Sequence, residues 1–210
     1  FESTVLDGTP IFNLAEFSLP ATRVDGFRGP LNSTSNFVLG AMAGGRSLEE
    51  AVADARAAGI AEANPAYDLD GWDASVKATV LANVLMDADL RPADVARVEL
   101  GAAAMRAALA ALAPGHTLKQ MVEAHRAPDG PDGFVRAEVR LEALAPGDPL
   151  AHLTGMETAI QLRTDTMGDL TIIEGAGGPG QTAFGVLADV LAIARGLGAI
   201  DLPIREEDHP

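Results

Sequence analysis

The chain has 210 residues, 48% of them hydrophobic and 21% charged, which is the composition of one ordered globular domain rather than of a disordered segment. Its formal net charge of −15 argues against nucleic acid or an anionic membrane surface as a partner, and the absence of cysteine excludes disulfides and fits a reducing compartment such as the cytoplasm. We find no apolar run of the roughly 18 to 20 residues that a membrane span requires and no signal-peptide pattern.

The first half of the chain is predicted to be helical. It starts at Phe1 rather than Met, from which we expect a further N-terminal portion of the protein. After the opening segment, residues 35–42 and 48–58 are predicted to form a helical hairpin. Ser47 with Glu50 three residues later predicts a capping box at the start of the second helix.

Two longer helices are predicted next. The first covers residues 71–86, with Asp70 as its N-cap. The second covers the alanine-rich residues 98–112, and because it has little polar surface we expect it to be packed inside the protein.

The second half is predicted to contain mostly strands. The segments HTLKQMVEAHR and FVRAEVRLEAL, joined by the turn-rich APDGPDG, predict a β-hairpin, and residues 156–163 and 170–173 predict two more strands before a helix over residues 182–195. Because helices and strands are partly segregated along the chain, we predict an α/β fold of α+β-like character, with a mixed sheet and helices mainly on one face.

A glycine-rich loop precedes the last helix. Gly175, Gly177 and Gly180 form a G-x-G-x-x-G pattern, but a P-loop would require a lysine where Gln181 stands. A Rossmann fold would require several more parallel strands after the helix, although Asp201 has the spacing of a ribose-binding acid. We therefore do not expect the loop to begin a dinucleotide-binding domain, but it can complete a site built elsewhere.

The segment GIAEANPAYDLDGWDASVK concentrates acids ahead of one lysine, Lys77. Asp73 and Lys77 are one helical turn apart and can pair. A solvated surface pair is the common explanation for such spacing. The same row continues into Leu81 and Val84, which favours a partly buried lysine able to give or take a proton.

Other chemistries lack the necessary spacing. Counted from Asp68 as position 1, Gly71 falls at position 4 and Thr79 at position 12, which does not match an EF-hand. We find no G-x-S-x-G elbow, so hydrolase chemistry has no support. Zinc is disfavoured because helical pair spacing is missing among the four histidines, His116, His125, His152 and His209.

Several segments together resemble the catalytic domain of homoserine dehydrogenases, in order and spacing, from Phe1 to about Arg195. The string A-E-x-x-P-x-x-D-x-x-G-x-D-x-x-x-K is the most specific, because it mixes glycine, proline and charges at fixed intervals. Ser33 corresponds to the N-S-T form of the family's threonine turn. The matching segments are FESTVLDGTPIF, RGPLNSTSNFVLGAM, GIAEANPAYDLDGWDASVK, DPLAHLTGMETAIQL and GAGGPGQTAFGVLADV.

The resemblance implies an NAD(P)-dependent oxidoreductase that interconverts L-homoserine and L-aspartate 4-semialdehyde. Residues 1–196 would be its catalytic and dimerisation domain, and residues 197–210 a short C-terminal tail. The nucleotide-binding Rossmann domain of such enzymes would precede Phe1, so we expect this chain alone to be inactive and the protein to be a homodimer.

The resemblance also implies roles for individual residues. Lys77 would protonate the substrate carbonyl oxygen in the reductive direction. The cofactor would meet the backbone at Gly59 and at Gly177 or Gly178, depending on a one-residue gap. The substrate would be bound by Glu62, Asp68, Asp73 and Thr34. A monovalent cation, Na⁺ or K⁺, would be coordinated largely through carbonyl oxygens by Glu2, Val5, Asp7 and Thr9, of which Asp7 and Thr9 depart from the commonest family residues.

Two alternatives remain open at the level of the sequence. The chain can be a non-catalytic module that dimerises through its sheet, or part of a related semialdehyde or hydroxy-acid oxidoreductase on the same scaffold.

Overall fold

A mixed β-sheet is the centre of the fold. The structure is a computed structural model that describes residues 2–62, 64–98, 100–127 and 134–196. In this part of the chain one sheet has the strand order β2-β4-β3-β1-β5-β6, with β2 and β4 parallel and all other neighbours antiparallel. Its strands are β1 (Val24–Gly29), β2 (Ala96–Val98), β3 (Thr117–Arg126), β4 (Val135–Leu144), β5 (Thr158–Thr164) and β6 (Gly168–Glu174).

Helices surround one face and the ends of this sheet. Short 3-10 turns occur at Glu2–Thr4, Pro92–Asp94 and Pro149–His152, and a π-helical turn covers Leu14–Ser18. None of the helices in the described ranges is both long enough and apolar enough to cross a bilayer. They are α1 (Ile11–Asn13), α2 (Ser33–Ala43), α3 (Leu48–Ala57), α4 (Ala66–Leu69), α5 (Trp72–Met86), α6 (Ala102–Ala110) and α7 (Pro179–Gly196).

The two faces of the sheet differ because side chains alternate along each strand. One face is apolar and carries α5, which packs across β4, β3 and β1. Leu81 of α5 and Ile160 of β5 are completely buried in this core, and burying a side chain of that size stabilises the fold by about 1.5–3 kcal/mol. The opposite face is mostly polar, with Arg140 of β4 paired there with Glu123, Glu138 and Glu142, but Met121 and Leu144 are buried on it.

The predicted mixed sheet with helices on one face is confirmed, as are the hairpin strands β3 and β4. Their pairing ends at Arg126 opposite Val135. The predicted turn between them falls on residues 127–133, of which residues 128–133 lie outside the described part of the chain, as does the predicted tail over residues 197–210. The capping box of α3 is present, with Ser47 and Glu50 hydrogen-bonded to each other's backbone N–H.

The predicted N-cap of α5 is wrong. Asp70 belongs to the end of α4, and the N-cap position is taken by Gly71, with a left-handed φ of 74°. A Cβ at Gly71 would also lie 2.5 Å from Leu100 Cδ1, so both the backbone conformation and the packing favour glycine. The tight turn between α4 and α5 places Asp68 and Asp73 close together.

The predicted helix over residues 98–112 is also wrong in two respects. Residues 96–98 form β2, and the helix begins only at Ala102, after Gly101 with a φ of 89°. Met105 is the buried residue of α6, whereas most of its alanines are exposed or half-buried. Alanine-rich composition therefore reflects helix propensity here rather than burial.

The strand β1 was not predicted at all. Its sequence VDGFRG includes two glycines, which weaken the strand signal. Gly29 has a packing reason, because a Cβ there would lie 2.0 Å from the carbonyl oxygen of Ala159. The strand exists because it pairs on both sides, with β3 and β5, which are distant in sequence.

Candidate functional site

Lys77 lies at the start of the core helix α5 and is held from two directions. Its Nζ is 3.1 Å from Asp73 Oδ2 and donates a hydrogen bond of 2.8 Å to the carbonyl oxygen of Leu31. The side chain of Lys77 is 19% exposed and that of Asp73 34% exposed. The pair is therefore half-buried and fixed in place, in contrast to a fully solvated surface pair.

Asn32 connects the acids on two helices. Its Nδ2 donates hydrogen bonds of 2.8 Å to Asp68 Oδ1 and to Asp73 Oδ2. Its Oδ1 accepts from the backbone N–H of Ser35 at 2.7 Å, which caps α2. The sequence prediction did not include Asn32, although an asparagine directly before a helix is a recognisable N-cap signal.

A small cavity of about 50 Å³ separates Lys77 from the glycine loop. We refer to it as the Lys77 pocket and define it by the residues of its wall that matter for chemistry. It brings together residues that are distant in the chain, from the starts of α2 and α5, the segment entering β5, the end of β6 and the loop before α7. They are Ser33, Lys77, Met156, Thr158, Glu174 and Gly177.

Glu174 contributes a buried carboxyl group to this pocket. It is 8% exposed, and Thr158 Oγ1 donates a hydrogen bond of 3.2 Å to its Oε2. Burial raises the pKa of Glu174, and hydrogen bonds from Thr9 and the backbone of Gly8 oppose that shift. The sequence prediction did not include Glu174, although an acid that ends a strand directly before a glycine loop could have indicated it.

The glycine loop has different packing at its successive glycines. A Cβ at Gly177 would lie 2.6 Å from Asp7 Oδ2, whereas a Cβ at Gly175 or Gly178 would have no neighbour within 4 Å. Gln181 Oε1 accepts a hydrogen bond of 3.0 Å from the backbone N–H of Gly178. The glutamine at the position of a P-loop lysine thus organises the loop, and the space beside the Cα atoms of Gly175 and Gly178 is open to a ligand.

The remaining predicted substrate and cofactor residues lie at the start of α2 and on the loop after α3. Thr34, which is buried, donates through Oγ1 to the carbonyl oxygen of Ile60 at 3.3 Å and so attaches the loop after α3 to the start of α2. Gly59, with a φ of 72°, and Glu62 are exposed on that loop. The structure therefore brings Asp68, Asp73 and Lys77 together, ties Thr34 to the neighbouring loop, and leaves Glu62 at the solvent side.

The predicted cation-binding segment has its side chains engaged in the fold. The buried carboxylate of Glu2 accepts from Phe12 N, Asn13 N and Asn13 Nδ2 at 2.7, 3.1 and 2.6 Å. Asp7 Oδ1 accepts from Thr182 Oγ1 at 3.2 Å. Within the described residues, no group of three His, Asp or Glu side chains is arranged to hold a metal. Carbonyl oxygens of Glu2, Val5, Asp7 and Thr9 are the groups left to bind a monovalent cation, and this stays a prediction.

Comparison with known proteins relates most of the chain to one family. A family model described as homoserine dehydrogenase matches residues 10–191. The chain is 36% identical over 193 residues to an NAD(+)-dependent homoserine dehydrogenase of Pseudomonas canavaninivorans, and the match covers 92% of this chain and 54% of that relative.

Solved structures give the same relationship. A homoserine dehydrogenase of Thermoplasma acidophilum matches with a TM-score of 0.75 and 30% identity over 93% of this chain and 57% of that one. A hyperthermophilic archaeal homoserine dehydrogenase in complex with NADPH matches with a TM-score of 0.74 and 26% identity over 97% of this chain and 57% of that one. The chain thus spans about half the length of these relatives.

Proposed function

Because this chain belongs to the homoserine dehydrogenase family, we propose that it is the catalytic and dimerisation domain of an NAD(P)-dependent enzyme that interconverts L-homoserine and L-aspartate 4-semialdehyde. One observation carries the proposal. Lys77, paired with Asp73, faces Gly177 of the glycine loop across a single cavity. A proton donor and the backbone expected to contact the cofactor therefore border the same space.

Lys77 is the proton-transfer group in this proposal. An ammonium group has three N–H donors, and the contacts with Asp73 and with the carbonyl oxygen of Leu31 direct two of them. The third is then aimed at a substrate oxygen in the Lys77 pocket. In the reductive direction Lys77 protonates that oxygen as the carbonyl carbon receives a hydride. Its two fixed contacts position it before the substrate arrives.

The acids beside Lys77 fit the other end of the substrate. Homoserine and the semialdehyde both carry an α-ammonium group, which carboxylates bind by charge-assisted hydrogen bonds. Asp68 and Asp73 are oriented by one amide, that of Asn32. We propose that Asp68, with Glu62 from the exposed loop and Thr34 at the start of α2, holds this ammonium end, so that the reacting carbon is placed next to Lys77.

NAD(P), when bound, supplies or accepts the hydride. In this chain the residues that fit it are the glycines with open space beside their Cα atoms, Gly178 in the loop and Gly59 after α3, together with Gly177, which lines the pocket. We propose that the rest of the cofactor site lies in a nucleotide-binding domain preceding Phe1. The exposed apolar residues of α7 support this, since Phe184, Leu187 and Ile193 are 61%, 53% and 63% exposed, and such a stripe is typical of a covered surface.

We also propose that the protein is cytoplasmic and forms a homodimer. The dimer interface in this proposal is the mostly polar face of the sheet. That face carries half-buried charges, such as Arg28 paired with Asp148 at 2.6 Å, and helices cover mainly the other face. Sedimentation velocity tests the dimer. A complete protein that sediments as a monomer at micromolar concentration contradicts it.

The function is tested by following the absorbance of NADH or NADPH with L-homoserine and either oxidised cofactor. The complete protein is compared with the 210-residue chain. We expect activity in the complete protein alone. No activity in either supports an assembly module without catalytic function, and a higher kcat/KM with another hydroxy acid identifies a related oxidoreductase.

A further inference from the structure

The second lysine of the chain is buried in β3. The sequence contains two lysines, Lys77 and Lys119. We propose that Lys119 and Asn36 are positioning residues for the Lys77 pocket, because they fasten residues 153–158, which form one of its walls, to helix α2. The consequence for catalysis rests on the proposed function, whereas the fastening itself does not.

Lys119 is a buried cation. It is 3% exposed, on β3, next to the buried cluster that contains Met121, Leu150 and Leu153. Burial lowers its pKa to about 8, and the charge of Glu157 opposes that shift. Enclosing an ammonium group is costly unless its donors are satisfied. A methionine would fill the same space without the cost of burying a charge. Packing alone therefore does not explain a lysine at this position, and its hydrogen bonds have to be considered.

The donors of Lys119 and Asn36 converge on one segment of backbone. Lys119 Nζ donates to the carbonyl oxygen of Leu153 at 2.6 Å and to Asn36 Oδ1 at 2.5 Å. Asn36 Nδ2, in turn, donates to the carbonyl oxygens of Gly155 and Glu157 at 3.2 and 2.8 Å. Three alternate carbonyls, at residues 153, 155 and 157, are thus bound by two buried side chains.

The fastened segment is a wall of the Lys77 pocket. Met156 lies between two of the bound carbonyls, Thr158 follows the last, and both line the pocket. Thr158 also donates to the carboxyl group of Glu174 on the far side. A shift of residues 153–158 therefore changes the space between Lys77 and the wall opposite it.

Helix α2 connects this wall to the acids. Asn32, which orients Asp68 and Asp73, is the N-cap of α2, and Asn36 lies one turn further along the same helix. One asparagine holds the acids that pair with Lys77 or the substrate, and the other holds the opposite wall. The separation between the two walls is thus set by one turn of α2 and by Lys119.

Two variants of the complete protein remove different parts of this arrangement. Lys119→Met removes the donors to Leu153 and Asn36 but keeps the volume. Asn36→Asp keeps an acceptor for Lys119 but removes both donors to residues 155 and 157. Because a displacement of about 1 Å near a reacting group can cost up to about 100-fold, we expect either variant to raise the KM for L-homoserine by about tenfold with a smaller change in kcat.

A structural readout accompanies the kinetics. Hydrogen exchange of the backbone amides in residues 153–158 is expected to accelerate in both variants, whether or not the protein oxidises homoserine. Lys119→Arg, which keeps charged donors, is expected to recover part of the wild-type KM. The matched control is Thr164→Val at the opposite end of β5, where Thr164 Oγ1 donates to the carbonyl oxygen of Gly168 at 3.0 Å. It is expected to lower stability and leave the KM unchanged.

The outcomes separate the two proposals. Faster exchange in residues 153–158 with a raised KM supports the positioning role. Wild-type exchange and KM in both variants, with only a loss of stability like that of Thr164→Val, overturns it. If Lys119→Met does not fold, Asn36→Asp decides alone. If the wild-type protein shows no homoserine oxidation, the proposed function fails, and the exchange rates still decide whether Lys119 and Asn36 fasten the wall.

Discussion

The Nδ2 atom of Asn32 lies 2.8 Å from Oδ2 of Asp73, so the residue that begins α2 also orients the acid that pairs with Lys77. The same amide binds Asp68. Two carboxylates that would otherwise repel each other thus share a neutral donor, and one of them, Asp73, also pairs with Lys77.

Asn32→Asp in the complete protein replaces the shared donor with a third carboxylate. Because Asn32 is buried, we expect the free energy of unfolding to fall by about 1–3 kcal/mol. We expect kcat/KM for homoserine to fall at least about tenfold, since Asp73 loses its orientation. Urea unfolding and steady-state kinetics measure the two effects.

The control for this change is Asn83→Asp, further along α5. Asn83 also uses its amide twice, with the backbone of Leu90 at 2.9 Å in both directions. It should lower stability and leave kcat/KM near the wild-type value. Equal kinetic effects of the two substitutions would contradict a specific role for Asn32.

Alanine substitutions in the glycine loop distinguish packing from cofactor contact. Gly177→Ala places a Cβ 2.5 Å from Gln181 Oε1 and 2.6 Å from Asp7 Oδ2, so these two side-chain ends must move away from their hydrogen bonds with Gly178 N and Thr182 Oγ1. We expect the free energy of unfolding to fall by about 0.5–1.5 kcal/mol. Gly178→Ala places its Cβ where no atom lies within 4 Å, so stability should be unchanged. Thermal unfolding of both variants checks this difference.

The KM for NAD(P) then resolves which glycine meets the cofactor. If Gly178 is in contact, Gly178→Ala raises this KM while the protein remains as stable as the wild type. A Gly178→Ala variant with unchanged KM for NAD(P) assigns the contact to Gly177.

The buried Lys119 predicts a dependence of stability on pH. Its pKa is lowered from 10.5 to about 8 in the folded state. Between these values the unfolded chain holds a proton that the folded chain has released, so the free energy of unfolding rises with pH, by roughly 3 kcal/mol at most. Below about pH 8 both states are protonated, and the contribution of Lys119 to the slope disappears.

Lys119→Met removes that titrating group. Urea unfolding at pH values below, within and above the range from about 8 to 10.5 gives the free energy of unfolding. We expect this free energy to rise with pH in the wild type and to rise less in Lys119→Met. If the free energy of unfolding depended on pH in the same way in both proteins, the pKa of Lys119 would be the same in the folded and unfolded states, which would contradict the prediction.

Local patterns in the sequence predicted much of the fold. The alternation in β3 and β4 and the capping box at Ser47 depend on residues close in the chain, and both are confirmed. The strand β1 and the N-cap of α5 were not predicted correctly. The first depends on pairing with strands about 100 or more residues away, and the second on the left-handed conformation of Gly71.

The same distinction between local and long-range contacts applies to the candidate site. The pairing of Asp73 with Lys77 follows from helical spacing and was visible in the sequence. Asn32, Glu174 and Lys119 were not predicted, because their roles arise from contacts with distant residues. Lys119, for example, binds a side chain 83 positions earlier and a carbonyl 34 positions later.

The most direct measurement of the central claim is the kcat of Lys77→Ala in the complete protein, beside Asp70→Ala as a matched control. Asp70 belongs to the same acidic segment but is exposed at the end of α4. Because Lys77 would be the proton donor, its removal should lower kcat by about 10²–10⁴ with the thermal unfolding midpoint little changed. Asp70→Ala should keep wild-type kcat. A folded Lys77→Ala variant with kcat near that of the wild type would contradict the role of Lys77 as the proton donor.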